Sequence, residues 1–169
     1  MLRMVSGSNR CQPASGRERF PERGLHLIDI ENLVGGGKPS FEQIRGVQGI
    51  YAGRLTLGAF DQVVVASSHL TLISAALGWP HARYRMRSGR DGADLELLDV
   101  LRYEKIAARF SRVIIGSGDG AFARAAASLG TAGVEVIVVS RRDSLSARLK
   151  LAASGVIYLD TAQLAAAAA

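Results

Sequence analysis

One cysteine, Cys11, is all the thiol chemistry in this 169-residue chain. An internal disulfide is therefore excluded, and a reducing, cytoplasmic setting is expected. Histidine is scarce as well: His26, His69 and His81 are scattered, with no spacing that suggests a zinc site, and each reads as structural or surface. No apolar run approaches the roughly 20 residues of a membrane span. The arginine-bearing start lacks the apolar stretch and cleavage site of a secretory signal, so none is expected. No G-x-G-x-x-G follows the first strand-like run, which argues against a dinucleotide site. "VGGGKPS" (34–40) looks superficially like a phosphate-binding loop, but Asn32 stands where its first glycine must be, so it reads as a flexible loop. Internal repeats are absent.

What is present is apolar and basic. Hydrophobic residues make up 48%, enough for one domain with one core. The net charge of +6 favours a polyanionic partner without establishing one. Within the first 23 residues, five arginines (Arg3, Arg10, Arg17, Arg19 and Arg23) face two glutamates, Glu18 and Glu22. That stretch is rich in Ser, Gly and Pro without hydrophobic period, and reads as a disordered basic extension; residues 24–169 read as the domain.

Strand-like runs occur at 25–30, 62–67, 83–87, 112–116, 134–139 and 155–159. Most are Val, Ile and Leu without polar alternation, as expected of strands covered on both faces. Helical patterns lie near 40–52, 69–78, 93–109, 120–131 and 144–153, and the longest places Leu95, Leu98, Leu101 and Ile106 at helical spacing. The alanine-rich end reads as a last helix with a ragged terminus. Alternating strands and helices predict an α/β fold, a three-layer αβα sandwich around a mostly parallel sheet.

In such sheets ligands collect at the carboxyl ends of the strands. Asp29 stands there, in the otherwise apolar "LHLIDIENL", where a carboxylate costs several kcal/mol unless paired, hydrogen-bonded or bound to metal. Its bland alternative is a turn cap or a partner for an arginine. Asp119 closes the fourth strand inside "GSGDG", whose glycines would let the backbone pass close to a ligand; alternatively Asp119 simply caps the next helix. Ser67 and Ser117 add hydroxyls at strand ends. In "RDGADLELLDVL", Asp94 opens the long helix and Asp99 interrupts its apolar stretch, so Asp99 should face something polar. Glu96 points elsewhere and reads as surface. These four acids, from three segments, compose a candidate site for a hard cation, Mg²⁺ or Mn²⁺. Arg83, Arg85 and Arg87 alternate along one strand face, with Arg90 beyond; they are candidate phosphate contacts or, equally, charges protecting an edge strand.

"DIENL" (29–33), "GADLELLDVL" (92–101) and "IIGSGDGAF" (114–122), in that order, resemble the NYN family, the nuclease branch of the PIN-like fold. The later "VEVIVVS…LSARLKLAASGVIYL" is similar to that family's closing strand–helix–strand, so the likeness spans about residues 25–160. The resemblance implies a PIN-like domain with metal-dependent ribonuclease activity, single-stranded RNA as substrate, and Mg²⁺ or Mn²⁺ held by Asp29, Asp94, Asp99 and Asp119. Asn32 would orient a carboxylate or contact substrate, and Ser117 would lie at the substrate site. PIN-like domains often self-associate, so a homodimer is an expectation of the resemblance. Many relatives carry another acid two positions after the "SGD" aspartate, where this chain has Ala121. An RNA-binding domain that lost turnover is therefore the alternative. A haloacid-dehalogenase-type phosphatase is a weaker one, since Glu31 replaces the second aspartate of its paired motif.

Overall fold

The computed structural model describes residues 23–160. The basic extension expected over the first 23 residues therefore lies outside the described residues but for Arg23, and so does the expected last helix. Six strands form one sheet: β1 (Gly24–Asp29), β2 (Gln62–Ser67), β3 (Arg83–Met86), β4 (Arg112–Gly116), β5 (Glu135–Arg141) and β6 (Gly155–Leu159). Every neighbouring pair is parallel, and the order is β3-β2-β1-β4-β5-β6. The Val, Ile and Leu runs become strands because both faces are covered, so β-branched side chains find packing on either side.

Helices cover the two faces in separate groups. On one lie α1 (Ile30–Val34), α2 (Phe41–Arg54) and α3 (Leu72–Gly78), packed on Ile28, Val65, Ile114 and Val139. On the other lie α4 (Gly92–Tyr103), α5 (Ile106–Arg109), α6 (Ala123–Thr131) and α7 (Ala147–Ala152), packed on Leu27, Val64, Ile115 and Val138. Neighbouring residues such as Ile114 and Ile115 serve opposite cores, the period-two alternation of a strand. The result is the expected three-layer sandwich. Among the described residues, no helix is long and apolar enough to cross a membrane.

Two local readings are corrected. The first strand stops at Asp29 rather than at residue 30. The Asp29 carboxylate accepts the Asn32 N–H and caps the short helix α1, which Gly35 closes with φ 116°. The helix expected over 93–109 is divided, because Lys105 takes a left-handed conformation (φ 49°) between α4 and α5. Both pieces still bury apolar side chains in one core, Leu97 and Val100 from α4 and Ile106 from α5.

The connectivity fixes where a site can form. From β1 the chain moves outward to β3, then returns to place β4 on the other side of β1. The loops after β1 and β4 therefore leave in opposite directions, opening a crevice at their carboxyl ends. Asp29 ends β1, and Ser117 to Asp119 follow β4.

Candidate active site

The loops at this switch point are cross-linked. Asn32, in α1, accepts the Gly118 N–H on its Oδ1 at 2.9 Å. Ser117 donates its Oγ–H to Asp29 Oδ2 at 3.3 Å, while the Asn32 N–H reaches Asp29 Oδ1 at 3.2 Å. Asn32 thus acts on Asp29 through its backbone and fastens the opposite loop with its side chain. Gly118 has no room for a Cβ, which would strike the Ser144 carbonyl; Gly118 also accepts the Ser146 N–H at 2.8 Å. The glycine freedom that the sequence suggested for a ligand is spent here on contact with the β5–α7 loop.

Asp94, in the first turn of α4, meets Asp29 side chain to side chain, within hydrogen-bonding reach. Both are buried, at 9% and 4% exposure. Burial, followed by the charge of Asp94, pushes the Asp29 carboxyl up to about 8. Asp94 is raised as well, first by burial; the charges of Asp119, Asp91 and Glu31 act in the same direction. Two carboxyls so placed share a proton more readily than they carry two charges. Among the described residues, the buried Asp94 Oδ1 has no hydrogen-bond partner.

Asp29, Asp94 and Asp119 all line one cleft of about 420 Å³, together with Glu31, Asp91, Asn32, the Gly35–Gly37 turn and Arg141. Asp119 is half-buried, and its Oδ1 accepts the Ala121 N–H at 2.7 Å, capping the 3₁₀ turn Gly120–Phe122. Among the described residues, no three Asp, Glu, His or Cys side chains are grouped closely enough to hold a metal ion together. The expected four-acid cluster is thus an apposed pair, Asp29–Asp94, with Asp119 in the same cleft. The donor set fits Mg²⁺ or Mn²⁺ in one respect: an unsatisfied buried carboxylate oxygen beside a second carboxylate is hard-cation chemistry, and Mg²⁺ commonly takes one or two carboxylates and keeps its waters.

Asp99 does not reach the cleft. It faces a polar partner, as its position suggested, but that partner is Arg87, whose Nη2 lies 3.3 Å from Asp99 Oδ2. Glu96 is the clearest error of the sequence reading. It is buried rather than on the surface, accepting Arg85 Nε at 2.7 Å and Arg87 Nε at 3.0 Å. Arg83 forms a two-pronged pair with Glu104 at 2.5 and 3.0 Å. The three arginines do share a face, and it is the face that meets the acids around α4. Arg90 differs: its side chain is 95% exposed, with Asp91 3.8 Å away. Ser67 is buried at the end of β2, its Oγ without a partner among the described residues, and it does not line the cleft.

Three cleft residues escaped the sequence reading. Glu31 Oε1 accepts the Ser68 N–H at 3.0 Å and the Thr71 hydroxyl at 2.9 Å, tying α1 to the β2–α3 turn. Asp91 precedes α4 with a left-handed backbone, φ 57°. Arg141 ends β5, so the strand-end rule that picked out Asp29 also marks it. A larger groove of about 760 Å³, between α4–α5 and α6, has mainly apolar walls such as Leu98, Leu101, Ile106 and Leu129, and none of its lining residues is acidic.

An α/β sheet with a carboxylate-lined cleft at its switch point defines a class of proteins that bind ligands at the carboxyl ends of their strands. The NYN domain family model matches residues 63–160, and the chain belongs to that family, whose members are generally nucleases. The matched range includes Asp94, Asp99 and Asp119; Asp29 and Asn32 precede it. Among solved structures, a Vibrio parahaemolyticus protein of unknown function has a similar fold, with TM-score 0.59 and 18% identity over 82% of this chain and 93% of that one. No curated protein matches the chain.

Proposed function

We propose that this protein hydrolyses phosphodiester bonds in single-stranded RNA, in a reaction dependent on Mg²⁺ or Mn²⁺, at the cleft between the ends of β1 and β4. The observation that carries this reading is the apposition of Asp29 and Asp94 with one oxygen unsatisfied. Membership of a family whose members are generally nucleases gives that unsatisfied oxygen a purpose.

Asp29 and Asp94 are the residues that would hold the ion, and Asp119, lining the same cleft, would add its carboxylate to their field. A bound divalent ion supplies water activation and neutralises charge on the scissile phosphate and leaving oxygen. The chain's own contribution is positional. Asn32 and Ser117 set the orientation of Asp29, and Glu31 keeps the neighbouring turn in place. Arg90, exposed on the rim, meets the RNA backbone. Asp99, drawn to Arg87, braces β3 against α4 and holds no ion.

The test is cleavage of end-labelled single-stranded RNA by the full chain. Cleavage should require Mg²⁺ or Mn²⁺, stop with EDTA, and be lost in Asp29→Asn and Asp119→Asn. Cutting that persists in Asp119→Asn would place the chemistry elsewhere. The family resemblance leaves a second reading, an RNA-binding domain without turnover: it implies an acid at position 121, where this chain has Ala121, exposed and outside the cleft lining. That second reading predicts RNA binding unchanged by the two substitutions and no cleavage in any metal.

A further inference from the structure

A cleft walled by carboxylates repels the polyanion it is proposed to cut. Among the described residues, Arg141 is the one basic side chain lining it. An arginine in such surroundings ordinarily folds onto the nearest acid. Arg141 has no ion pair with Asp29, Glu31, Asp94 or Asp119; its Nε is held by Asp143 Oδ1 at 3.1 Å, and its side chain is 18% exposed. Neither Nη atom has an acceptor among the described residues. The end of the guanidinium passes directly over Gly35, where a Cβ would collide with Nη1. Gly35, Gly36 and Gly37 all have positive φ (116°, 91° and 77°), and a Cβ on Gly36 or Gly37 would meet nothing within 4 Å. The turn therefore leaves open space, among the described residues, on the cleft side of a partly buried guanidinium that is paired with Asp143 through Nε alone.

We propose that Arg141, laid over the Gly35–Gly37 turn, is a substrate-binding residue that takes one phosphodiester of the RNA strand beside the linkage being cut. This rests on the nuclease reading above and adds to it the point at which the backbone is gripped. The guanidinium fork presents parallel N–H donors to two phosphate oxygens, which a lysine ammonium cannot reproduce. With Nε fixed by Asp143, little side-chain freedom remains to be lost on binding. The three glycines let the strand approach without steric hindrance from side chains.

The experiment measures binding of the full chain to a short single-stranded oligoribonucleotide in Ca²⁺, by fluorescence anisotropy, across a salt series. A second series carries one uncharged methylphosphonate at each linkage in turn. Arg141→Ala should weaken binding about tenfold and reduce the salt slope by about 0.7, the loss of one phosphate contact on a single strand. One methylphosphonate position should cost the unsubstituted protein about tenfold and Arg141→Ala nothing. An unchanged slope in Arg141→Ala, or a methylphosphonate profile identical in both proteins, overturns the assignment. Should Arg141→Ala fail to fold, judged by circular dichroism, Gly35→Ala decides. It keeps the charge but displaces Nη1, and should erase the same position-specific cost; a retained cost overturns the proposal. RNA that is bound but never cut in Mg²⁺ or Mn²⁺ refutes the nuclease activity and leaves Arg141 to the scan. RNA that is cut while the scan stays flat refutes Arg141 alone, and RNA that is not bound at all refutes both.

Discussion

Strand β1 carries a buried ionisable side chain near each end, and the two are treated oppositely. His26, near the amino end, is fully buried and completely partnered: Nδ1 lies 2.6 Å from the Tyr51 hydroxyl and Nε2 3.2 Å from Asp61 Oδ2. With Asp61 ionised, Nε2–H donates to it and the Tyr51 O–H donates to Nδ1. Asp61 in turn accepts the N–H groups of Gly24 and Gly58 at 2.5 and 2.8 Å, with Arg112 Nη2 3.6 Å away. At the carboxyl end, Asp29 meets another carboxyl, and Asp94 Oδ1 has no partner among the described residues. Buried polar groups are ordinarily satisfied, and an unsatisfied one calls for a reason. The first network makes the fold more secure; the second makes it less so, which is the usual sign of a site shaped for something other than stability.

If that contrast holds, substitutions at the two ends should separate activity from stability. The largest effect expected is on cleavage: Asp29→Asn should lower kcat by about 10³ or more, as for removal of a group acting on the developing charge. The same variant should melt no lower, and in EDTA higher, than the unsubstituted chain, since one of two opposed carboxyls is gone. A drop in Tm comparable to the loss of activity would erase the distinction. His26→Ala should do the reverse, costing about 2–4 kcal/mol in urea unfolding while the folded fraction keeps its kcat.

The response to pH should also differ in sign. Burial raises the Asp29 carboxyl to about 8, so the folded chain binds more protons than the unfolded one between about pH 4 and 8. In EDTA, its contribution to stability is present below that window and is lost as pH rises through it. For His26, burial lowers the pKa, and the Arg112 charge acts the same way, against the hydrogen bond and charge of Asp61. Burial pushes Asp61 up, but the Gly58 and Gly24 N–H groups and His26 bring it below the usual range. His26 therefore favours the fold above about pH 6.5 and loses that contribution as pH falls. Urea titrations of the unsubstituted chain, Asp29→Asn and His26→Ala across pH 4–9 should display the two slopes; parallel curves would contradict them.

Smaller still is the expected effect of metal on stability. Mg²⁺ at ten times its Kd should add about 1.4 kcal/mol at neutral pH, and Asp94→Asn should abolish the gain. Smallest of all is Asp99→Asn. Its pair with Arg87 is half exposed, so a change of about 0.5 kcal/mol or less in stability and no more than about twofold in kcat is expected. A large kcat loss there, with stability intact, would return Asp99 to the site.

The strands were legible because their apolar runs need cover on both faces, whatever the rest of the chain does. Asp29 and Asp119 were legible for the related reason that a lone acid at the end of such a run calls for explanation. The fates of Glu96 and Asp99 were not legible. Both lie on α4 within sequence reach of Asp94, and what separates them is β3, which brings Arg85 and Arg87 against that helix only once the sheet has formed. Arg141 shares the strand-end position that marks Asp29, but a basic residue among 21 at such an end needs no explanation until its neighbours are known to be acids. The break at Lys105 left no mark in the hydrophobic spacing, since both fragments feed one core.

The bond from Gly118 to Asn32 joins residues 86 positions apart. During synthesis, Asp29 and Asn32 emerge long before Ser117, which donates to Asp29, and Gly118, which donates to Asn32. A polypeptide that ends between Met86 and Arg112 contains β1, β2 and β3 but lacks β4 and the Ser117–Gly118 loop, so its cleft is unfinished. The cleft is thereby completed only after β4 has joined β1, late in the order in which the sheet is made.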